Sequence, residues 1–383
     1  MPPVRVGRGL AVAALLFGAM AAGCAPSFRT LHEEIEQEGA GAYVEGVPFV
    51  RQRGSWCGPA ALASVAQHNG LPLSQEQIAR EVYLPSIGAT VTLDLQACAA
   101  QHGLWCHAGR GSADEVRAWL DRGVPVIALL RLGSLAGRRY HYVVVLGHHR
   151  PRGYFIAHMG LLPHQPISFR DFARMSERGG GWLLVACPPD RVTWPLTADG
   201  HNDLGVAFEK AGAWDRARDA YGRAASADPS KALYRFNSGN VLARLGQKSE
   251  AEQAYREAIR LTPDFADAHN NLACLLLDLP RPEDARREAE AAVAIGGARL
   301  ASYLDTLGQA QMALGRLPEA AETFRRAIAD AKADPALAAE ARLGLIEALV
   351  KAGQREAAAA EKERLAAVTQ DESLLRRAEQ LLK

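Results

Sequence analysis

The chain carries almost no surplus charge: Lys+Arg 44 stand against Asp+Glu 43, a formal net charge of +1. Overall charge therefore recruits neither nucleic acid nor an acidic lipid surface, and no nucleic-acid partner is expected. Long apolar runs are missing beyond residue 24, which excludes a multi-pass membrane protein. A phosphate-cradling loop is missing too. Gly179-Gly180-Gly181 lack the Lys and helix start that such a loop needs, and they read as a turn before a strand. Disorder is excluded by the 48% of apolar residues against 23% charged. A length of 383 residues, at roughly 150 residues per domain, indicates two or three units.

What is present begins with MPPVRVGRGLAVAALLFGAMAAGC. Arg5 and Arg8 form a positive segment, Leu10 to Met20 a short apolar one, and Ala21, Ala22 and Gly23 lead into Cys24. This is the layout of a secretory signal, too short for a comfortable transmembrane helix. The Cys after small residues resembles a bacterial lipobox, with Ala21 where a Leu is usual. The resemblance implies a signal peptide over residues 1–23, acylation of Cys24 and a membrane anchor that does not span the bilayer. Ala25, in place of Asp, implies the outer membrane facing the periplasm. A plain cleaved signal is the alternative. Residues 24–45 are polar and Gly-bearing, and a tether is expected there.

The second half repeats. Leu204-Gly205, Ser238-Gly239, Leu272-Ala273 and Leu307-Gly308 recur at spacings of 34, 34 and 35. Ala217, Ala251, Ala285 and Ala320 follow at a fixed offset, then Tyr221, Tyr255, Ala289 and Phe324, with Pro229 and Pro263 closing the first two units. This resembles the tetratricopeptide repeat, a helix-turn-helix unit of a solenoid. Small residues let antiparallel helices approach, the aromatic is expected to pack on the next unit, and Pro stops the second helix. A degenerate fifth unit around Leu343-Gly344 and Gly353 leads to a polar capping helix. An all-α solenoid over residues 197–383 is expected, its groove binding a protein partner. Asn237, Asn270 and Asn271 are candidate groove hydrogen-bonders; bracing or self-association is the alternative use.

Between Val47 and Pro189 the pattern changes. In VPFVRQRGSWCGPAALASVAQHNG a short apolar strand precedes Gln52, a turn and Cys57, and Pro59 opens a helical run. Cys57 thus stands at a helix N-terminus, where free amides and the macrodipole favour a thiolate. Gln52 can aim its side-chain amide at the same point, forming an oxyanion hole with the Cys57 N–H. In RRYHYVVVLGHHRPRGYFIAHMG, Tyr142 to Leu146 and Tyr154 to Ala157 read as a hairpin around a turn from Gly147 to Gly153. His141 lies at its start and His158 at its end, so the two are expected side by side. Nucleophile on the helix and base on the sheet is the arrangement of Cys–His acyl-transfer sites. Helices near Gln75 to Val82, Leu93 to His102 and Ala113 to Arg122, with strands LWCHAG, Gly123 to Leu132 and Trp182 to Ala186, complete an α+β domain.

The Gln–Cys-Gly-Pro-Ala-Ala-Leu block and the His-aromatic-Val-Val-Val strand resemble the double-glycine, bacteriocin-leader-type cysteine peptidases of papain-like fold. The resemblance implies an α+β papain-like peptidase domain over residues 46–190, ahead of the repeats. It also implies Cys57 as nucleophile, His141 as base and Gln52 as oxyanion ligand. His158 stands where the family has the acidic residue that orients the base; a neutral imidazole there supplies no negative charge, and Asp171 is a possible substitute. A lipid-anchored cysteine peptidase on peptide or protein substrates is expected, with the repeats recruiting substrate or partner. An inactive adaptor, and an amidase or transpeptidase acting on cell-wall peptides, are the alternatives.

No metal or other cofactor is expected, since His148-His149 with His141, His158 and His164 lack ligand spacing and read as turn histidines. Cys98 and Cys106 can form a disulfide in an export context or remain buried free thiols. Cys187 and Cys274 read as core residues. Trp56 is expected either to wall the cleft or to pack.

Overall fold

A computed structural model describes residues 25–133, 139–331 and 334–383. The signal segment and Cys24 lie outside the described residues. Two compact units divide the chain: the first runs to Pro195 and takes in Val206–Gly212, and the second comprises Leu196–Gly205 and Ala213–Lys383. No helix among the described residues is long and apolar enough to cross a membrane.

The first unit opens where a tether was expected, with helix α1 (Phe28–Glu38) and strand β1 (Gly41–Tyr43). Ser27 caps the helix through its side chain, Gly39 ends it in the left-handed conformation, and Leu31 and Ile35 are buried on one face. Glu34 fixes the helix by pairing with Arg152 at 2.5 Å and lying 2.7 Å from His149 Nε2. Two buried apolar residues in a polar segment gave too little periodic signal to mark it.

Then follow α2 (Cys57–His68), α3 (Gln75–Val82), a small hairpin of β2 (Tyr83–Leu84) and β3 (Ala89–Thr90), α4 (Thr92–Gln101), β4 (Trp105–Arg110) and α5 (Ala113–Asp121). Residues 47–50, expected as a strand, are irregular. The rest of the sheet comprises β5 (Val126–Leu132), β6 (Arg139–His149), β7 (Tyr154–Met159), β8 (Leu162–Ser168) and β9 (Trp182–Cys187), with α6 (Phe169–Arg178) before β9. Strand order is β4-β9-β5-β6-β7-β8, all antiparallel, and β1 pairs with the far end of β6 through Gly41↔His149. β8 and α6 were not foreseen.

Strand β6 is buried without interruption from Tyr142 to His149, so it is covered on both faces. It therefore runs longer than the apolar stretch alone suggested. His148 and His149 are strand residues in the core, 0% and 1% exposed, rather than turn residues. Asp121 accepts from His148 Nε2 at 2.8 Å, and His149 Nδ1 accepts from the Arg152 N–H at 3.2 Å. Helix α2 packs against β6. Every residue from Gly58 to Ala66 in it is buried, as its all-round apolar sequence requires.

From residue 198 onward the repeat pattern becomes the helix pairs α7 (Ala198–Lys210) and α8 (Trp214–Ala227), α9 (Ala232–Arg244) and α10 (Lys248–Leu261), and α11 (Ala266–Asp278) and α12 (Pro282–Ile295). Next come α13 (Leu300–Ala313) and α14 (Leu317–Asp330), α15 (Pro335–Lys351) and α16 (Arg355–Val368), and a terminal helix α17 (Glu372–Leu382). Within each pair the small position receives the large one. A Cβ on Gly205 would lie 2.5 Å from the Tyr221 ring, one on Gly239 2.7 Å from Tyr255, and one on Gly308 2.8 Å from Phe324. The third unit has Ala289 in place of the aromatic, and there Ala273 fills the small position, both fully buried in one cluster with Leu307. The aromatic thus packs within its own unit, and Phe324 also meets Gly344 of the next. The terminal helix buries Leu374 and Ala378 in the last core, so it seals the apolar end as well as solvating it.

Two of the three groove asparagines are committed internally: Asn237 donates to Asn202 Oδ1 at 2.8 Å, and Asn271 to Asn240 Oδ1 at 2.9 Å. They form rungs between successive first helices, while the buried Asn270 Oδ1 has no partner.

Candidate active site

Cys57 is the first residue of α2 and is half-buried. Pro59 falls in the first turn, where its missing N–H costs no helical bond. Gly58 lies under a close crossing: a Cβ there would stand 3.2 Å from Thr90 Cβ and 3.3 Å from the Tyr142 ring. The Tyr142 hydroxyl in turn donates to the Thr90 carbonyl at 3.2 Å. The helix start, β3 and β6 are thereby drawn together, and the backbone amides of Tyr142, Gly58 and Cys57 itself act on the thiol in the direction that favours its ionisation.

His141 precedes Tyr142 on β6, and the Met159 backbone acts on its ring in the direction that favours the protonated form. Gln52 reaches the same place from its loop. Its N–H donates to the Gly160 carbonyl at 3.0 Å, and its side-chain Nε2 donates to the Gly54 carbonyl at 2.9 Å. Gln52 Oε1 is buried with no partner. The space over Gly160 Cα is where the two side chains meet: a Cβ at that point would lie 2.1 Å from Gln52 Oε1 and 2.8 Å from His141 Nε2. Gln52 and His141 are thus brought together over Gly160, while Cys57 opens the helix whose Gly58 packs against Tyr142, the residue after His141.

The ionisation state differs from the thiolate read at the sequence level. Burial pushes the Cys57 thiol above its ordinary value and outweighs the three backbone amides. Burial likewise holds His141 below the usual imidazole range, against the pull of the Met159 backbone. Both directions favour a neutral thiol and a neutral imidazole at rest.

His158 is not beside His141. The register pairs it with Val144, and the buried ring spends both nitrogens elsewhere. Nε2 donates to the Val47 carbonyl at 3.3 Å, and Nδ1 accepts from the His164 N–H at 3.3 Å. Phe49 and His164 pack on the ring at centroid distances of 5.2 and 4.7 Å. His158 therefore does not take the orienting position expected of it. Asp171 does not substitute. It sits in the first turn of α6, bonded to Ser168 Oγ at 2.8 Å and Arg174 at 2.5 Å.

Burial holds the His158 pKa down to about 4. A group whose folded pKa is depressed below the unfolded value near 6.5 withholds a proton from the folded state. Its neutral form therefore contributes stability at neutral pH, and this is lost as pH falls from about 6.5 towards 4. The loss expected from this ring is about 3 kcal/mol, since a proton on Nδ1 would also remove the acceptor that His164 N–H needs. His68, His148 and His164 are displaced in the same direction. Thermal melts of the wild type and His158→Gln between pH 7 and 4 should show the shallower decline in the variant; parallel curves would contradict the assignment.

Sequence reasoning missed Gln75. It is 7% exposed and clamps the Gln52 loop on both sides, accepting from Arg53 N–H at 3.0 Å and donating to the Arg51 carbonyl at 3.0 Å. No local signal identifies it, because an N-terminal Gln in an amphipathic helix reads as a surface residue. Trp56 rests edge-on against Tyr83 at 6.1 Å, so it packs on the β2–β3 hairpin next to Cys57. Cys98 and Cys106 are buried thiols rather than a disulfide, Cys187 is buried as well, and Cys274 is exposed rather than in the core. Exposed apolar residues occur on the segments adjoining the site in sequence: Leu84, Ile87 and Leu93 around Thr90, and Tyr140, Leu161 and Leu162 next to His141 and Gly160.

Residues 44–158 match the model of the peptidase C39-like family. Residues 239–279 match a TPR repeat model, and residues 190–232 and 306–373 match a tetratricopeptide repeat model. The chain thus carries a peptidase-C39-like domain followed by tetratricopeptide repeats. Among curated proteins it is 30% identical over 183 residues to protein FlbA of Caulobacter vibrioides, covering 46% of this chain and 30% of FlbA. It is 36% identical over 84 residues to the inactive TPR repeat-containing thioredoxin TTL3 of Arabidopsis thaliana, covering 22% of this chain and 12% of that protein. The chain therefore spans less than a third of these relatives. Among solved structures it is similar to YrrB, described as a TPR protein with an unusual peptide-binding site, at 22% identity and TM-score 0.40, covering 48% of this chain and 92% of YrrB. MamA of Desulfovibrio magneticus RS-1 aligns at 20% identity and TM-score 0.41, covering 45% and 97% of the two chains.

Proposed function

We propose that the protein is a cysteine peptidase of the cell envelope, held to a membrane by lipid on Cys24, whose repeats recruit a protein substrate or partner. The observation that carries the reading is the meeting of the Gln52 and His141 side chains over Gly160, with Cys57 opening α2 and Gly58 packed against Tyr142, the residue after His141. The match of residues 44–158 to a peptidase-like family supports it.

In the proposed reaction, His141 takes the Cys57 proton as sulfur attacks the carbonyl carbon of the peptide. The tetrahedral oxyanion is met by the second N–H of Gln52 Nε2, whose first is fixed on Gly54. Collapse leaves a thioester on Cys57, and His141 returns the proton to the leaving amine. Water activated by His141 then releases the acid and restores the thiol. The neutral resting pair suits this order, because the imidazole must be free to accept the proton. The exposed apolar residues on the adjoining segments favour an extended peptide with apolar side chains on either side of the scissile bond.

A second reading, an adaptor that binds without cleaving, is favoured by one observation: no carboxylate is among the groups acting on His141, so no negative charge stabilises the imidazolium. The two readings separate in one experiment. Envelope proteins from cells carrying the wild type or Cys57→Ala are compared for new peptide termini by mass spectrometry, alongside pull-down through the repeats. Termini present only with the wild type support the peptidase. An identical set of captured partners, with no termini dependent on Cys57, removes it in favour of the adaptor.

A further inference from the structure

We propose that Glu81, Cys98 and His102 form a binding site for a divalent transition-metal ion of the zinc type. Cys98 and His102 stand one turn apart at the end of α4, so their side chains share a face. Glu81 faces them from the last turn of α3. Cys98 Sγ lies 3.1 Å from Glu81 Oε2, and His102 Nε2 lies 3.2 Å from Glu81 Oε1. One ligand atom from each residue falls within 4.8 Å of the other two. Tetrahedral bonds of about 2.0–2.3 Å set ligand atoms roughly 3.3–3.8 Å apart, so an ion seats with small side-chain adjustments.

The surroundings fit such a site. Cys98 is 2% exposed and forms the floor. The His102 and Glu81 side chains are 31% and 37% exposed and leave an open mouth for the ion and a water as fourth ligand. Charge closes as well. The thiol proton, now donated to Glu81, leaves to solvent, and thiolate plus carboxylate neutralise a doubly charged ion beside a neutral imidazole. A sulfur ligand selects Zn²⁺ or Co²⁺ over Mg²⁺ or Ca²⁺. The other such cluster among the described residues, His32 with Glu36 and Glu45, has no sulfur and two exposed carboxylates, and it reads as ordinary surface ion pairing.

Helices α3 and α4 flank the segment that carries the β2–β3 hairpin, and Thr90 of that hairpin lies against Gly58 and Tyr142. An ion bridging Glu81 to Cys98 and His102 would staple the two helices and brace one wall of the Cys57 site. This inference does not depend on the peptidase reading.

Co²⁺ is the probe. Titrated into the full chain, one equivalent should bind with a near-ultraviolet thiolate-to-cobalt absorption and tetrahedral visible bands. Cys57→Ala should keep the absorption and Cys98→Ser should lose it. His102→Ala, at a partly exposed position that does not threaten folding, should weaken binding by about 100-fold. Zn²⁺ should displace the Co²⁺ and raise the melting temperature of the wild type but not of Cys98→Ser. No thiolate band in the wild type, a band that survives Cys98→Ser, or a band lost in Cys57→Ala would overturn the proposal.

Discussion

Cys57→Ala is expected to lower peptide hydrolysis by at least about 10⁴-fold, the scale of losing a nucleophile whose partners act as a unit. Its fold should be unaltered, because the side chain lost is small and half-buried. The pH dependence is the sharper part of the expectation. Burial raises the Cys57 thiol above its ordinary value and lowers His141 below its own, so at pH 7 the thiolate is a minor species. Alkylation of Cys57 by iodoacetamide should therefore climb by about tenfold per pH unit from pH 7 to 9, with no plateau. A thiolate–imidazolium pair would instead react at a nearly constant rate down to the pKa of the paired thiol. His141→Ala separates the roles further. It should abolish hydrolysis while changing alkylation at pH 8 only modestly, because His141 acts on a proton in transit rather than on a standing charge. A flat alkylation profile between pH 6 and 8 that becomes steep in His141→Ala would show the resting ion pair and refute the neutral site.

Much of this arrangement was legible in the chain, and the boundary between what was and was not has physical causes. The helix at Cys57 was readable because a Pro in the first turn followed by unbroken apolar residues has few other solutions. The repeats were readable because their packing is local and recurs, so that Gly205, Gly239 and Gly308 each announce the ring that covers them. What failed depended on long-range partners. Strand β6 continues through His148 and His149 because Asp121 and Glu34, distant in sequence, receive those rings. The segment 28–43 docks as helix and edge strand because β6 offers it an unpaired end and Arg152 a countercharge. His158 was placed beside His141 on the assumption of a flush hairpin, but the register sets it opposite Val144, with an irregularity further along near Gly147. Gln75 was invisible because its function resides in two backbone groups, Arg51 C=O and Arg53 N–H, on a loop more than twenty residues away.

With no acidic group acting on His141, position 160 gains weight. Gly160 has φ +67, which L side chains rarely adopt, and its Cα faces the gap where Gln52 and His141 meet. In Gly160→Ala the backbone strain costs about 1 kcal/mol. The new methyl would overlap Gln52 Oε1 at 2.1 Å and the His141 ring at 2.8 Å. Both obstacles are ends of flexible side chains, so the fold survives by moving them, and those are the groups the proposed reaction needs in place. A displacement on the order of 1 Å costs a catalytic group about 100-fold. The variant is therefore expected to lose at least that much in kcat with little change in KM, while iodoacetamide still alkylates Cys57 at the wild-type rate because the amides of Tyr142 and Gly58 are untouched. Gly70→Ala is the matched control, since Gly70 has φ +80 and nothing within 4 Å of its added carbon. It should lose a similar amount of stability and no activity. If Gly160→Ala hydrolyses peptide as well as Gly70→Ala does, Gln52 and His141 do not work as a pair across that glycine. The oxyanion would then have to be met by backbone amides alone.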